Sequence, residues 1–178
     1  MYGRILMMMR KLINKYIQLN RKRKTMSNKY IHYGSSSFDL NKFNTPKNCA
    51  EPWNKPDPNT CLWASPIDSE NGWKDWCVDN NFRIEQLGTS FIFELKPTSK
   101  ILNLRTDEEL DQALKLDLIH SRRELTGPIP DYYMDFEKLT SEGFDAIEVY
   151  IYSSRIYWGL YGWDCDSLLV LNPNCIVV

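Results

Sequence analysis

The chain has 178 residues, 43% hydrophobic and 25% charged, which suits one domain with a sizeable core and would make each of two independent domains small. Its net charge of −1 hides a split: residues 1–26 carry eight basic side chains and no acid, and the remaining 14 basic and 23 acidic side chains set residues 27–178 at −9. A domain so acidic does not attract nucleic acid by bulk charge, and no stretch is long and apolar enough to cross a bilayer.

Residues 4–19 form the first predicted element. Ile5, Met8, Met9, Leu12, Ile13, Tyr16 and Ile17 recur near helical spacing with Arg and Lys between them. Three roles fit this basic N-terminal extension: an arm for a membrane surface or nucleic acid, a docking helix for a partner, or an upstream extension of the reading frame ahead of Met26. The domain proper is expected over residues 27–178.

Residues 29–33 read as a short strand, followed over 34–60 by a loop rich in Ser, Asn, Pro and Lys. A connection of that length in a compact domain usually carries function. Residues 61–64 read as a second strand. Residues 72–80 read as a helix, with Trp73, Trp76 and Cys77 at three- and four-residue spacing. Residues 90–95 and 100–104 read as strands. Thr106 with Glu109 forms a capping box that opens a helix to about residue 118. A further helix is predicted over 132–141, ending before Gly143, and strands over 144–150 and 167–171. Strands and helices mix without a regular βαβ repeat, so the fold class is α+β.

Five cysteines (Cys49, Cys61, Cys77, Cys165 and Cys175) stand at irregular spacings, with no C-x-x-C motif and two histidines in all. No metal site is expected from that pattern. An odd count without a secretory signal points to free thiols in a reducing, cytoplasmic setting.

Three features carry candidate chemistry. In the first, His32-Tyr33-Gly34-Ser35 lies where a strand becomes a loop. Gly34 lets a ligand approach the backbone, His32 offers a directional donor or acceptor, and Ser35 adds a hydroxyl. In the second, Trp63 and Ser65 on a strand are followed by Trp73 and Trp76 on a helix. Such aromatics can sandwich a flat ring, and a cationic ring gains a cation–π attraction. In the third, Asp164 and Asp166 flank Cys165 at the entry to an apolar strand. A carboxylate there suits a developing oxocarbenium ion at a ribose. Each feature also has a plainer reading: a strand-end turn, core tryptophans, and a polar turn capping a strand.

In this order the three resemble the ADP-ribosyltransferase fold, in its histidine-containing branch, over roughly residues 30–176. Ile31-His32-Tyr33-Gly34-Ser35 looks like that family's first-strand motif, Cys61-Leu62-Trp63-Ala64-Ser65-Pro66 like the second, with Trp63 at the tyrosine position, and Asp166-Ser167-Leu168-Leu169-Val170-Leu171-Asn172-Pro173 like the late strand. The chain departs from the pattern at Cys61, where glycine is usual. It departs again at Ser167, which takes the place of the family's catalytic Glu, with Asp166 one residue before it.

The resemblance implies a split antiparallel sheet core with a few short helices, and NAD as the substrate. It implies that His32 bonds the adenosine-side ribose and Gly34 the nicotinamide carboxamide, with Tyr33, Ser35 and Ser65 beside them. Trp63 with Trp73 or Trp76 would stack on the pyridinium, and Asp166, or less readily Asp164, would stabilise the oxocarbenium ion. The implied activity is mono-ADP-ribosyl transfer to a protein or nucleic-acid acceptor, or NAD hydrolysis, of the kind found in toxins and in phage– or virus–host conflict. The alternatives are an RNA 2′-phosphotransferase-like enzyme and an inactive module that binds a nucleotide or a partner. Adjacent strand residues point to opposite faces, so only one of Asp166 and Ser167 can enter the cleft without a bulge.

Overall fold

The computed structural model describes residues 28–48, 56–57, 60–121, 132–160 and 162–178. The basic arm of residues 4–19 lies outside the described residues. Seven strands form one sheet: β1 (Lys29–Tyr33), β2 (Trp63–Pro66), β3 (Ser90–Leu95), β4 (Ile101–Leu104), β7 (Ala146–Val149), β8 (Ser167–Val170) and β9 (Ile176–Val177). Their order across the sheet is β4-β7-β8-β2-β1-β3-β9. The β4–β7 pair is parallel and all other pairs are antiparallel. A separate pair, β5 (Ile119–Ser121) and β6 (Tyr132–Met134), is also antiparallel. Among the described residues, four α-helices complete the α+β fold: α1 (Trp73–Asn80), α2 (Asp107–Lys115), α3 (Phe136–Ser141) and α4 (Ser154–Gly159). Among the described residues, no helix is long and apolar enough to cross a membrane.

Period-two alternation explains how one sheet supports two cores. Strand β8 is buried throughout, and apolar after Ser167, because both of its faces are covered. Leu168 and Val170 join Tyr30, Leu62, Phe91 and Phe93 on one side. Leu169 packs on the other side with Leu104, Leu110, Ile147 and Ile156, beneath the helices. Alternating strands appear where one face is open: in β3, Phe91, Phe93 and Leu95 are buried while Ser90 and Ile92 are exposed.

Caps set the helix starts. The Thr106 hydroxyl accepts from Glu109 N–H at 3.2 Å, the predicted half of a capping box that opens α2, while the Glu109 carboxylate reaches one residue further back and accepts from Arg105 N–H at 2.6 Å. That helix ends at Lys115 rather than near residue 118, because Asp117 turns into the left-handed region at φ 58°. The helix expected over 132–141 is corrected. Tyr132–Met134 is a strand paired with Ile119–Ser121, and Asp135 caps a shorter helix by accepting from Lys138 N–H at 3.0 Å. The second strand is shifted two residues from its expected place. Cys61 closes a turn, donating its N–H to the Asp57 carbonyl at 3.0 Å, so pairing begins at Trp63.

The site is positioned by a break in this sheet. Strands β1 and β2 pair over just Tyr30↔Pro66 and Ile31↔Ser65. Beyond that point His32 and Tyr33 stay paired to β3, while Trp63 and Ala64 stay paired to β8. The two halves of the sheet part there.

Candidate functional site: a cleft at the parting of the sheet

The parting opens into a cavity of about 960 Å³, at the upper end of the volumes usual for small-molecule sites. Seven predicted residues of the binding set line it: His32, Tyr33, Gly34, Ser35, Trp63, Ser65 and Trp73. Three elements bring them together: the end of β1, the start of β2 and the first turn of α1.

His32 is the most defined of them. Its Nδ1 lies 2.6 Å from the carbonyl oxygen of Trp63, and its ring packs on Phe91 at 5.1 Å between centroids. A carbonyl can only accept, so Nδ1 carries the proton. Burial holds the imidazole below its ordinary pKa, only partly opposed by the bond to Trp63. The ring is therefore biased to the neutral form, whose Nε2 is an acceptor. A neutral acceptor suits a ligand hydroxyl.

Gly34 follows at φ 102°, a conformation that side-chain-bearing residues rarely adopt, and its N–H donates to the Thr89 carbonyl at 2.9 Å. A Cβ there would meet no heavy atom closer than the Gln86 side chain at 4.0 Å. The backbone angle, not crowding, is what requires glycine. Ser65 is committed to structure as well as to the cleft wall. Its buried hydroxyl accepts from Trp73 N–H at 2.8 Å, starting α1.

The aromatic pair differs from expectation. Trp63 packs edge-on against Trp163 at 4.8 Å. Trp73 stacks on Trp76 at 5.3 Å with 12° between their planes. Trp76 does not line the cavity; it backs Trp73, and the ring that joins Trp73 in the wall is Phe82, edge-on at 6.0 Å.

The carboxylates are also redistributed. Asp166 is fully buried and does not line the cavity. Its Oδ1 accepts from Ile151 N–H at 2.9 Å and its Oδ2 from the Ser69 hydroxyl at 2.7 Å. It ties two loops to the start of β8. Ser167, on the opposite side of the chain, lines the cleft, as do Cys165 and Asp164. The Ser167 hydroxyl donates to the Cys165 carbonyl at 2.8 Å. No bulge brings Asp166 round, since β8 pairs regularly with β7 from Val149↔Ser167 onward. Asp164 is thus the predicted carboxylate that faces the cavity.

A second acid, Glu148, lies outside this cleft. Tyr30 donates to it at 2.8 Å and Arg105 Nε lies 3.6 Å away. Burial raises its carboxyl pKa.

Sequence reasoning missed the residues between α1 and β3. Phe82, Arg83 and Gln86 all line the cavity, yet they form no motif. The one signal was their place between an aromatic helix and a strand that pairs with β1. Comparisons of this chain with protein-family models, with curated proteins and with solved structures each return no match.

Proposed function

We propose that the chain is an ADP-ribosyltransferase-like protein that takes NAD into the cleft between β1 and β2. The observation that carries the reading is the His32–Trp63 pairing at the parting of the sheet. It leaves an imidazole acceptor beside a glycine of positive φ and an aromatic wall, the combination that the resemblance predicts for a ribose, a carboxamide and a pyridinium. The largely antiparallel sheet that parts between these strands is a further support, as is a cavity volume adequate for a dinucleotide.

In this reading His32 accepts from a hydroxyl of the adenosine-side ribose, and the backbone at Gly34 bonds the carboxamide. Asp164 takes the role first given to Asp166. As the C–N glycosidic bond breaks, nicotinamide leaves with the bonding electron pair, and the Asp164 carboxylate stabilises the cationic ribose. An acceptor nucleophile or water then attacks the anomeric carbon and gives up its proton.

Ser167 favours a second reading. A hydroxyl stands where the family's strand carries Glu, which suits a module that binds the nucleotide without turning it over. Nicotinamide release from NAD separates the two. The first reading expects release that falls with either Asp164→Asn or His32→Ala; the second expects NAD binding that His32→Ala weakens, with no release. Absence of NAD binding at millimolar concentration would defeat both.

A further inference from the structure

We infer that Arg83 is the diphosphate ligand of the cleft, gripping the bridging phosphates of a nucleoside diphosphate. The inference rests on the reading that a nucleotide occupies this cavity, and three observations support it.

The first is charge. Among the described residues that line the cavity, the acids are Asp39 and Asp164 and the cations are Lys42 and Arg83. Lys42 is paired with Asp39 at 3.5 Å. The Arg83 guanidinium makes no ion pair or hydrogen bond among the described residues; its contact is with the face of Phe82, 5.2 Å from the ring centroid. A planar fork of five donors is thus left for a ligand. In a domain at −9, an anion needs such a local cation to enter.

The second is backbone strain. Arg83 stands at φ 47°, ψ 35°, in the left-handed region. Asn81, two residues earlier, is left-handed too, but it closes α1 through bonds from its N–H to the carbonyls of Cys77 and Val78, a usual place for Asn. Arg83 precedes the 3₁₀ turn Ile84–Gly88 and makes no side-chain cap bond. Its carbonyl starts that turn by accepting from Gln86 N–H at 3.0 Å, but this backbone bond needs no arginine, so a strained arginine here points to a functional use of its side chain.

The third is rigidity. Phe82, on which the guanidinium lies, packs edge-on against Trp73 at 6.0 Å and Trp76 at 5.5 Å. The following turn reaches back to Gly34, where Gln86 is the nearest neighbour to the glycine's open side. The cation is therefore carried on an edge-packed aromatic base in the cavity wall, at the start of the turn that reaches Gly34.

The test is binding of ADP, inorganic pyrophosphate and adenosine to the full chain by calorimetry, for wild type, Arg83→Gln and Arg83→Gly. Wild type is expected to bind ADP and pyrophosphate with an affinity that falls as salt rises. Arg83→Gln should weaken both by about tenfold or more and leave adenosine unchanged. Arg83→Gly should lose the same affinity while melting at or above the wild-type temperature, because glycine relieves the strain. That last pair separates ligand binding from a structural role. Equal ADP affinity in wild type and Arg83→Gln, or no wild-type affinity for ADP or pyrophosphate at millimolar concentration, would overturn the inference. ADP binding that depends on Arg83, in a protein that neither binds nor cleaves NAD, would uphold it and remove the NAD reading.

Discussion

The His32 Nδ1 lies 2.6 Å from the Trp63 carbonyl, bridging two strands at the point where their backbone pairing stops. One hydrogen bond thereby fixes the imidazole tautomer and holds the mouth of the cleft. His32→Ala removes both the bridge and the acceptor. NAD affinity, read by calorimetry, is expected to fall at least about tenfold, and stability by about 1 kcal/mol for the lost bond.

The same burial gives a pH dependence. The folded-state pKa of His32 lies below the ordinary 6.5. Its stabilising contribution is therefore fully present above that value and is lost as pH falls through the folded pKa. Urea unfolding at pH 7.5 and pH 5 should show a loss on acidification that is smaller in His32→Gln. Ligand affinity should fall over the same range, since a protonated Nε2 can no longer accept.

Asp166 and Asp164 should part in mutagenesis. Asp166→Asn disturbs a fully buried carboxylate that accepts from Ile151 N–H and Ser69. A cost of about 2–3 kcal/mol is expected, read as a lower melting temperature. Asp164→Asn should cost much less stability and, in the first functional reading, remove nicotinamide release. A reversed pattern would return Asp166 to the cleft.

The first strand was legible to the residue, because Lys29–Tyr33 and Ser90–Leu95 lie between clear breakers and, in the second case, alternate. Ile119–Ser121 and Tyr132–Met134 were not, since three-residue strands carry no period. The run Tyr132-Tyr133-Met134 merges in sequence with the helical residues after it, and a single Asp135 cap is all that divides them. Helix α4, six residues capped by Ser153, was likewise too short to show a pattern. At the site, His32, Gly34 and Trp63 were legible because glycine and aromatic residues mark a strand's end. Which of Asp164, Asp166 and Ser167 faces the cleft depends on the phase of β8, set by its register with β7. Phe82 and Arg83 reach the cleft only through tertiary packing.

Gly34→Ala tests the backbone rather than the space. At φ 102°, with no atom nearer than 4.0 Å to an added Cβ, the substitution should destabilise by about 1 kcal/mol or more through strain alone. Thermal melts compared with Gly88→Ala, whose added Cβ meets nothing within 4 Å at a φ that needs no glycine, would isolate the conformational term.

Away from the cleft, Tyr30→Phe removes the hydroxyl that donates to Glu148 at 2.8 Å. A loss of about 1–3 kcal/mol is expected, because a buried carboxyl is left with one hydrogen-bond donor fewer. The double variant Tyr30→Phe with Glu148→Gln should recover part of that loss in denaturant unfolding.

In the proposed function, the cleft at the parting of β1 and β2 holds NAD through His32. The deciding measurement is calorimetric titration of the full chain with NAD, run beside His32→Ala after circular dichroism has shown the variant folded. Saturable binding in wild type, weakened at least about tenfold in the variant, is the predicted result. No binding at millimolar NAD, or equal binding by both proteins, would contradict it.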